Sequence, residues 1–226
     1  MPASTEPSHD CPLCPRLHDF IAGWREREPA WFNGPVPAFL PRDAAARPSE
    51  DNVRLLIVGL APGLRGANRT GRPFTGDFAG DLLYSTLISH GFARGKFEAR
   101  PDDSLELVDT AIVNAVRCVP PENKPTPEES KTCRPFLAAE LAGLERLEVV
   151  LALGALAHGE VLAALGHRKS HYRFGHGALH QLPGHQLPGG LLLADSYHCS
   201  RYNTNTGRLT VEMFEAVFAE LRARLT

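Results

Sequence analysis

Four short apolar runs recur along the chain, each separated from the next by a stretch with helical spacing, and this alternation limits the fold more than any other feature. Val53–Gly59 (VRLLIVG) closes on glycine, and 109–114 (DTAIVN), Glu148–Leu153 (EVVLAL) and Leu191–Asp195 (LLLAD) follow. Runs this short and this apolar read as strands of a parallel sheet covered on both faces. Between them, Gly80–Ser89 places Leu82, Leu83, Leu87 and Ile88 on one side. Thr126–Leu144 opens on Thr-Pro-Glu-Glu: an N-cap threonine, a proline in the first turn and a glutamate at the capping-box position. Ala155–Leu165 stops at Gly166, and a last helix runs from Thr210 to Leu225 with Val211, Phe214, Val217, Phe218 and Leu221 on one face. The pattern predicts an α/β fold: a three-layer α/β/α sandwich around a central, mostly parallel sheet of about four strands.

At 226 residues the chain fits a single domain. Its first 52 residues are Pro-rich and read as an irregular segment, as does Pro120–Pro127. Gly166–Gly190, rich in Gly and His, reads as a long loop with room for a hairpin. No apolar run reaches the roughly 18 residues of a membrane span. Met1–Asp10 is polar and lacks the apolar core of a secretory signal, which predicts a cytoplasmic protein without membrane attachment. The net charge of −2 provides no general basic stripe. Arg65, Arg69 and Arg72 cluster locally, as do Arg201 and Arg208, and local fields rather than net charge decide where an anion docks. The same arginines also fit ordinary solvated surface.

Ligands of open α/β sheets bind beyond the carboxyl ends of the strands. Three unusual stretches fall there: Gly59-Leu-Ala-Pro-Gly63 after the first strand, Asn114 with Cys118 after the second, and Ser196-Tyr-His198 after the fourth. The glycine loop has neither the GxGxxG spacing nor the Gly-Lys-Ser/Thr of a phosphate loop. The segment that follows, Ala67–Asp77 (ANRTGRPFTGD), packs basic, polar and aromatic groups together. Phe74 there suits stacking on a base, or a core position. Asp77 precedes a helix and suits its N-cap.

Cysteine usage points to a metal. Cys11-Pro-Leu-Cys14 lacks the preceding strand of a redox CxxC. With Cys118 and Cys133 it supplies four thiolates, enough for Zn²⁺ or an Fe–S cluster, and spacing alone does not separate the two. A buried-core role for Cys118 and Cys133 also stays open. Cys199 stands beside His198, but neighbours in an extended segment point apart, so a Cys–His nucleophile is disfavoured.

With these pieces in place the chain resembles the type B, or family 5, uracil-DNA glycosylases. The resemblance rests on Gly59–Gly63, on Gly66–Asp77, on Asn114-Ala-Val-Arg-Cys118 and on Ser196–Thr210 (SYHCSRYNTNTGRLT), with the four cysteines in order. It implies a 4Fe–4S cluster on Cys11, Cys14, Cys118 and Cys133, with zinc the less favoured alternative. It implies a monomer that flips uracil, and other deaminated bases, out of double-stranded DNA and cleaves the base–sugar bond without a lyase step. His198 is the candidate donor to the leaving base and Asp77 the candidate carboxylate, since Ala61 stands where sister families have Asp or Asn. Gly59, Ala61 and Gly63 shape the pocket floor, Phe74 stacks on the base and Asn114 reads its polar edge. Arg69, Arg72 and Arg208 contact the DNA backbone. Arg201 and Tyr202, in the loop Ser200–Thr206, wedge into the groove. Leu60 replaces the acidic residue of the related type A enzymes. Cys199 replaces the family's usual proline, which predicts a looser loop. Two other readings remain: a non-catalytic Zn or Fe–S module that binds nucleic acid, and a metal-dependent hydrolase built on His158, His167, His171, His176, His180 and His185.

Overall fold

The computed structural model describes residues 6–184 and 190–225. Helix α1 (Pro15–Arg27) leads to strand β1 (Leu55–Gly59), helices α2 (Ala67–Thr70) and α3 (Phe78–Ser89), a hairpin of β2 (Ala93–Arg94) and β3 (Glu106–Leu107), and strand β4 (Thr110–Asn114). There follow α4 (Pro127–Gly143), β5 (Val149–Leu153), α5 (Ala155–Ala164), β6 (Leu179–Leu182), β7 (Leu191–Ser196), α6 (Arg201–Asn205) and α7 (Val211–Arg224).

The central sheet has five strands in the order β4-β1-β5-β7-β6. The four anticipated strands run parallel, and β6 pairs antiparallel with β7. Successive strand side chains point to opposite faces, and the two cores divide accordingly. Leu55, Ile57, Ile112 and Leu151 pack beneath α3 and α7, while Leu56, Val58, Val113 and Val150 pack beneath α4 and α5. Every residue of β1, β4 and β5 is buried, which is why no polar alternation shows in those runs. The outcome is the three-layer α/β/α sandwich. The fifth strand lies in the stretch expected to be a loop, and His185 falls outside the described residues.

Strand starts move inward by one or two residues for local reasons. Asp109 has a left-handed φ of 50°, so β4 begins only at Thr110. The capping box forms as anticipated: Thr126 Oγ1 accepts from the Glu129 N–H at 3.2 Å, and Glu129 Oε2 accepts from the Thr126 N–H at 2.7 Å.

The first 52 residues are not wholly irregular. Pro15 opens α1 from its first turn, and Leu17 and Ile21, four apart, bury one stripe. Arg16 then reaches both oxygens of Glu129 at 2.8 Å, fastening α1 to the start of α4. Among the described residues no helix is long and apolar enough to cross a membrane.

Arg117, wholly buried between β4 and the Pro-rich loop, donates to Glu140 of α4 at 2.8 Å, and Glu140 is only 1% exposed. Arg117 Nη1 also lies 3.3 Å from Glu6, but removing Glu140 takes away the shorter and fully buried of its two carboxylates. Glu140→Ala should therefore cost about 3–5 kcal/mol, read from the denaturant midpoint; a loss near zero would show that the pair does not hold α4.

Candidate active site

Beyond the carboxyl ends of β1 and β4 lies a cavity of about 370 Å³. Ala61, Gly63, Phe74, Asp77, Asn114 and His198 all line it, joined by Leu60, Asn123, Ser200 and Arg201. Gly59 pairs with Asn114 in the sheet register. A Cβ on Gly59 would stand 2.4 Å from Asn114 Oδ1 and 2.8 Å from the Phe74 ring, so the missing side chain is what lets those two groups meet. Asp77 is placed the same way, since a Cβ on Gly66 would fall 2.3 Å from its Oδ2. Asp77 also caps α3, accepting from the Gly80 N–H at 3.4 Å. Capping and cavity lining are thus one arrangement, because the helix start aims the carboxylate at the glycine loop.

Two polar groups meet the cavity without protein partners. Among the described residues neither the Asn114 amide nor the His198 imidazole makes a hydrogen bond, although Asn114 is 3% exposed. Buried polar groups are ordinarily satisfied, so an unpaired amide lining a cavity marks a place for a ligand. Burial pushes His198 down to about 4, so its ring is neutral near neutral pH. Burial also raises the Asp77 carboxyl above its usual range, against the N–H groups of Gly80 and Ala79 that pull it down. The His198 and Phe74 rings lie 5.8 Å apart at 31°. Phe74 itself is 7% exposed with a left-handed φ of 51°, and it belongs both to the core cluster and to the cavity lining.

The uracil-DNA glycosylase superfamily model matches residues 48–222. The chain belongs to the uracil-DNA glycosylase superfamily. It is 45% identical over 222 residues to the type-5 uracil-DNA glycosylase of Thermus thermophilus, covering 94% of this chain and 92% of that one. The type-5 enzyme of Mycobacterium tuberculosis is 38% identical over 225 residues, with 94% and 77% covered. That of Pyrobaculum aerophilum is 35% identical over 218 residues, with 95% and 88% covered.

Measured against the superfamily expectation, most anticipated residues converge, and a few do not. Arg72 is a correction. It is 5% exposed, donates twice to Asp103 at 2.8 Å and once to Thr75 Oγ1, and so has no free face for DNA. Its aromatic neighbours Phe39, Tyr84 and Phe97, distant in sequence, are what bury it. Arg69, Arg201, Tyr202 and Arg208 are exposed, and Arg201 stands at the cavity rim. The loop Ser200–Thr206 is instead the short helix α6, with Ser200 Oγ accepting from the Asn203 N–H at 3.4 Å. Cys199 stands just before this helix. The thiol is wholly buried and donates to the Ala79 carbonyl at 3.4 Å, and burial raises its pKa far above the usual thiol range, which removes it as a nucleophile.

Cys11, Cys14, Cys118 and Cys133 line one small cavity beside Leu17 and Val116. Burial, aided by the neighbouring thiols, pushes Cys14 up to about 11 and Cys118 up to about 12. Four such groups do not ionise together without a cation among them. Tetrahedral zinc, with bonds near 2.3 Å, needs sulfurs about 3.8 Å apart. Among the described residues the thiols do not gather within 4.8 Å of one another, whereas His158, His180 and Asp195 do.

Asn123 was missed from sequence. It enters the cavity from the turn Pro121–Asn123 with a left-handed φ of 58°. The readable signal was Asn, a residue that tolerates this conformation, between prolines. Among the described residues, the histidines of the hydrolase reading that come together with a third metal-ligating group are His158 and His180, while His176 bonds the Met213 carbonyl. Gly59→Ala should force Asn114 and Phe74 apart and destabilise the protein by about 1–3 kcal/mol, measured by chemical denaturation; an unchanged midpoint would mean the wall yields freely.

Proposed function

We propose that this protein excises uracil, and other deaminated bases, from double-stranded DNA, leaving an abasic site. The unpaired Asn114 amide and neutral His198 ring facing one nucleobase-sized cavity carry this reading, and the kinship with type-5 enzymes supports it. A base inside a duplex is out of reach, so the target nucleotide turns out into the cavity. The Phe74 ring stacks on it, contributing roughly 1–3 kcal/mol. Asn114 offers both a donor and an acceptor to its polar edge. As the base–sugar bond stretches, negative charge grows on the base and positive charge on the sugar. A neutral His198 donates its ring N–H to the base oxygen, and ionised Asp77 steadies the sugar and orients the water that adds to C1′. The base leaves with one proton of that water and the hydroxyl stays on the sugar, so no lyase step is needed.

Arg69, Arg201 and Arg208 meet phosphates, and Tyr202, 71% exposed, fills the gap the base leaves. Cys11, Cys14, Cys118 and Cys133 hold a 4Fe–4S cluster in preference to zinc; bound there, it supplies a structural clasp between α1, the loop after β4 and α4. The chain acts as one domain, as a monomer, in the cytoplasm.

The deciding assay is incubation with a uracil-containing duplex followed by alkali. Strand breakage at the uracil is expected, and its absence with fully metallated protein would leave only a binding module. His198→Ala should slow excision about 10²–10³-fold, the usual loss for one charge-stabilising donor, with duplex affinity retained. Equal losses of binding and rate would make the residue structural instead.

The pH profile tests Asp77. It acts ionised, and burial raises its pKa, so kcat/KM should fall as pH drops through a value above the ordinary 3.8. His198 stays neutral down to about 4 and adds no loss above that. An acid limb at or below the ordinary aspartate value, or full activity in Asp77→Ala, would remove Asp77 from the reaction.

A further inference from the structure

Behind β7, away from the cavity wall, α5, β6 and β7 bring His158, His180 and Asp195 together, with one donor atom from each inside a 4.8 Å span. Asp195 is wholly buried, His158 is 4% exposed, and the His180 side chain is 16% exposed. Each imidazole faces a different oxygen of the same carboxylate: His158 Nδ1 stands 2.7 Å from Oδ1, and His180 Nε2 stands 3.3 Å from Oδ2.

The tautomer of His158 follows from its other nitrogen. Nε2 lies 2.9 Å from the Tyr172 carbonyl oxygen, which only accepts, so Nε2 carries the hydrogen. Nδ1 then faces a carboxylate oxygen at 2.7 Å, a contact that requires either a proton or a metal cation between the two. A backbone carbonyl that fixes the far nitrogen is the outer-sphere arrangement usual for a metal-bound histidine. A second proton on His158 would satisfy that ring, but does not by itself explain why a second imidazole converges on the same carboxylate.

We propose that His158 Nδ1, His180 Nε2 and the Asp195 carboxylate bind a zinc-class divalent ion, separate from the four-cysteine site. Two imidazole nitrogens and a carboxylate are a borderline donor set that suits Zn²⁺, which would take the place of the proton between His158 and Asp195 and widen their 2.7 Å separation. The site is too enclosed to admit a substrate. Its work is to clamp β6 and the 172–177 segment onto the strand that ends at Ser196, just before His198. The Gly175 N–H, 3.3 Å from Asp195 Oδ2, belongs to the same clamp.

The inference does not depend on base excision, and its test reads metal rather than activity. The full-length protein, with its cysteine site loaded, is exchanged into metal-free buffer, titrated with Zn²⁺ and analysed for zinc and iron, with the zinc environment read by X-ray absorption. About one zinc per chain with a nitrogen/oxygen shell near 2.0 Å is expected. His180→Ala, at the most accessible of the three ligands, should weaken zinc binding by more than about tenfold, the loss that even outer-sphere changes produce, with iron content unchanged. No bound zinc, or zinc with a sulfur shell near 2.3 Å, would overturn the proposal. So would unchanged zinc affinity in the variant. Should His180→Ala fail to fold, the absorption shell on the unaltered protein still decides.

Discussion

Arg72 and Asp103 meet through two parallel hydrogen bonds of 2.8 Å, and both side chains are almost entirely withdrawn from water. Burial alone would raise the Asp103 carboxyl; the guanidinium, with the N–H groups of Glu98 and Leu105, holds it below the carboxylate range. The same guanidinium donates to Thr75 Oγ1, and Tyr84 Oη donates to the Pro73 carbonyl at 2.6 Å. These bonds fix the residues on either side of Phe74, whose left-handed backbone is costly for a side chain of its size. Such strain is of order 1–3 kcal/mol, while breaking a buried ion pair costs about 3–5 kcal/mol. The pair therefore outweighs the strain, and the ring stays where the cavity needs it. The residue expected to hold DNA instead holds the wall against which a base would lie.

That wall has an electrostatic counterpart. His198 and Asp77 share one cavity, and burial drives both toward neutrality: the imidazole loses its proton more readily and the carboxyl keeps its own longer. A helix start donates to the carboxylate and opposes that rise, while the imidazole has no such partner and is neutral near neutral pH. A departing uracil base needs both, since opposite charges grow on the two sides of the breaking bond and water is scarce enough not to screen them.

Strands and long helices were legible because their apolar periods and caps are local properties, as the Thr126–Glu129 box shows. The convergence of Gly59, Phe74, Asp77, Asn114 and His198 was legible because each sits at a strand end or just past it, where topology alone gathers side chains. What escaped depends on contacts between segments far apart in the chain. Arg72 looked like a surface cation because nothing near it in sequence announces Asp103 or the three rings that bury it. Helix α1 hid in a Pro-rich stretch because its two buried residues, Leu17 and Ile21, show no pattern until Val116 and Cys133 complete the cluster. Strand β6 hid because an edge strand of LHQL carries one fully buried residue, Leu182.

The same separation between sequence and space resolves the apparent conflict between a net charge of −2 and a polyanionic partner. Arginines are not equivalent once folded. Arg16, Arg54, Arg72, Arg117 and Arg134 are each spent on a carboxylate, at Glu129, Glu148, Asp103, Glu140 and Glu160 respectively. Arg65, Arg69, Arg201 and Arg208 are exposed, and among the described residues none has an acidic partner. All four lie on the segments that follow the glycine loop and β7, the two that form the cavity wall. Five arginines are thus paired in the body of the fold, while four exposed ones stand at its carboxyl edge. A surface of this kind attracts phosphates over a distance comparable to the screening length, about 8 Å at physiological salt, even though the molecule as a whole is slightly acidic.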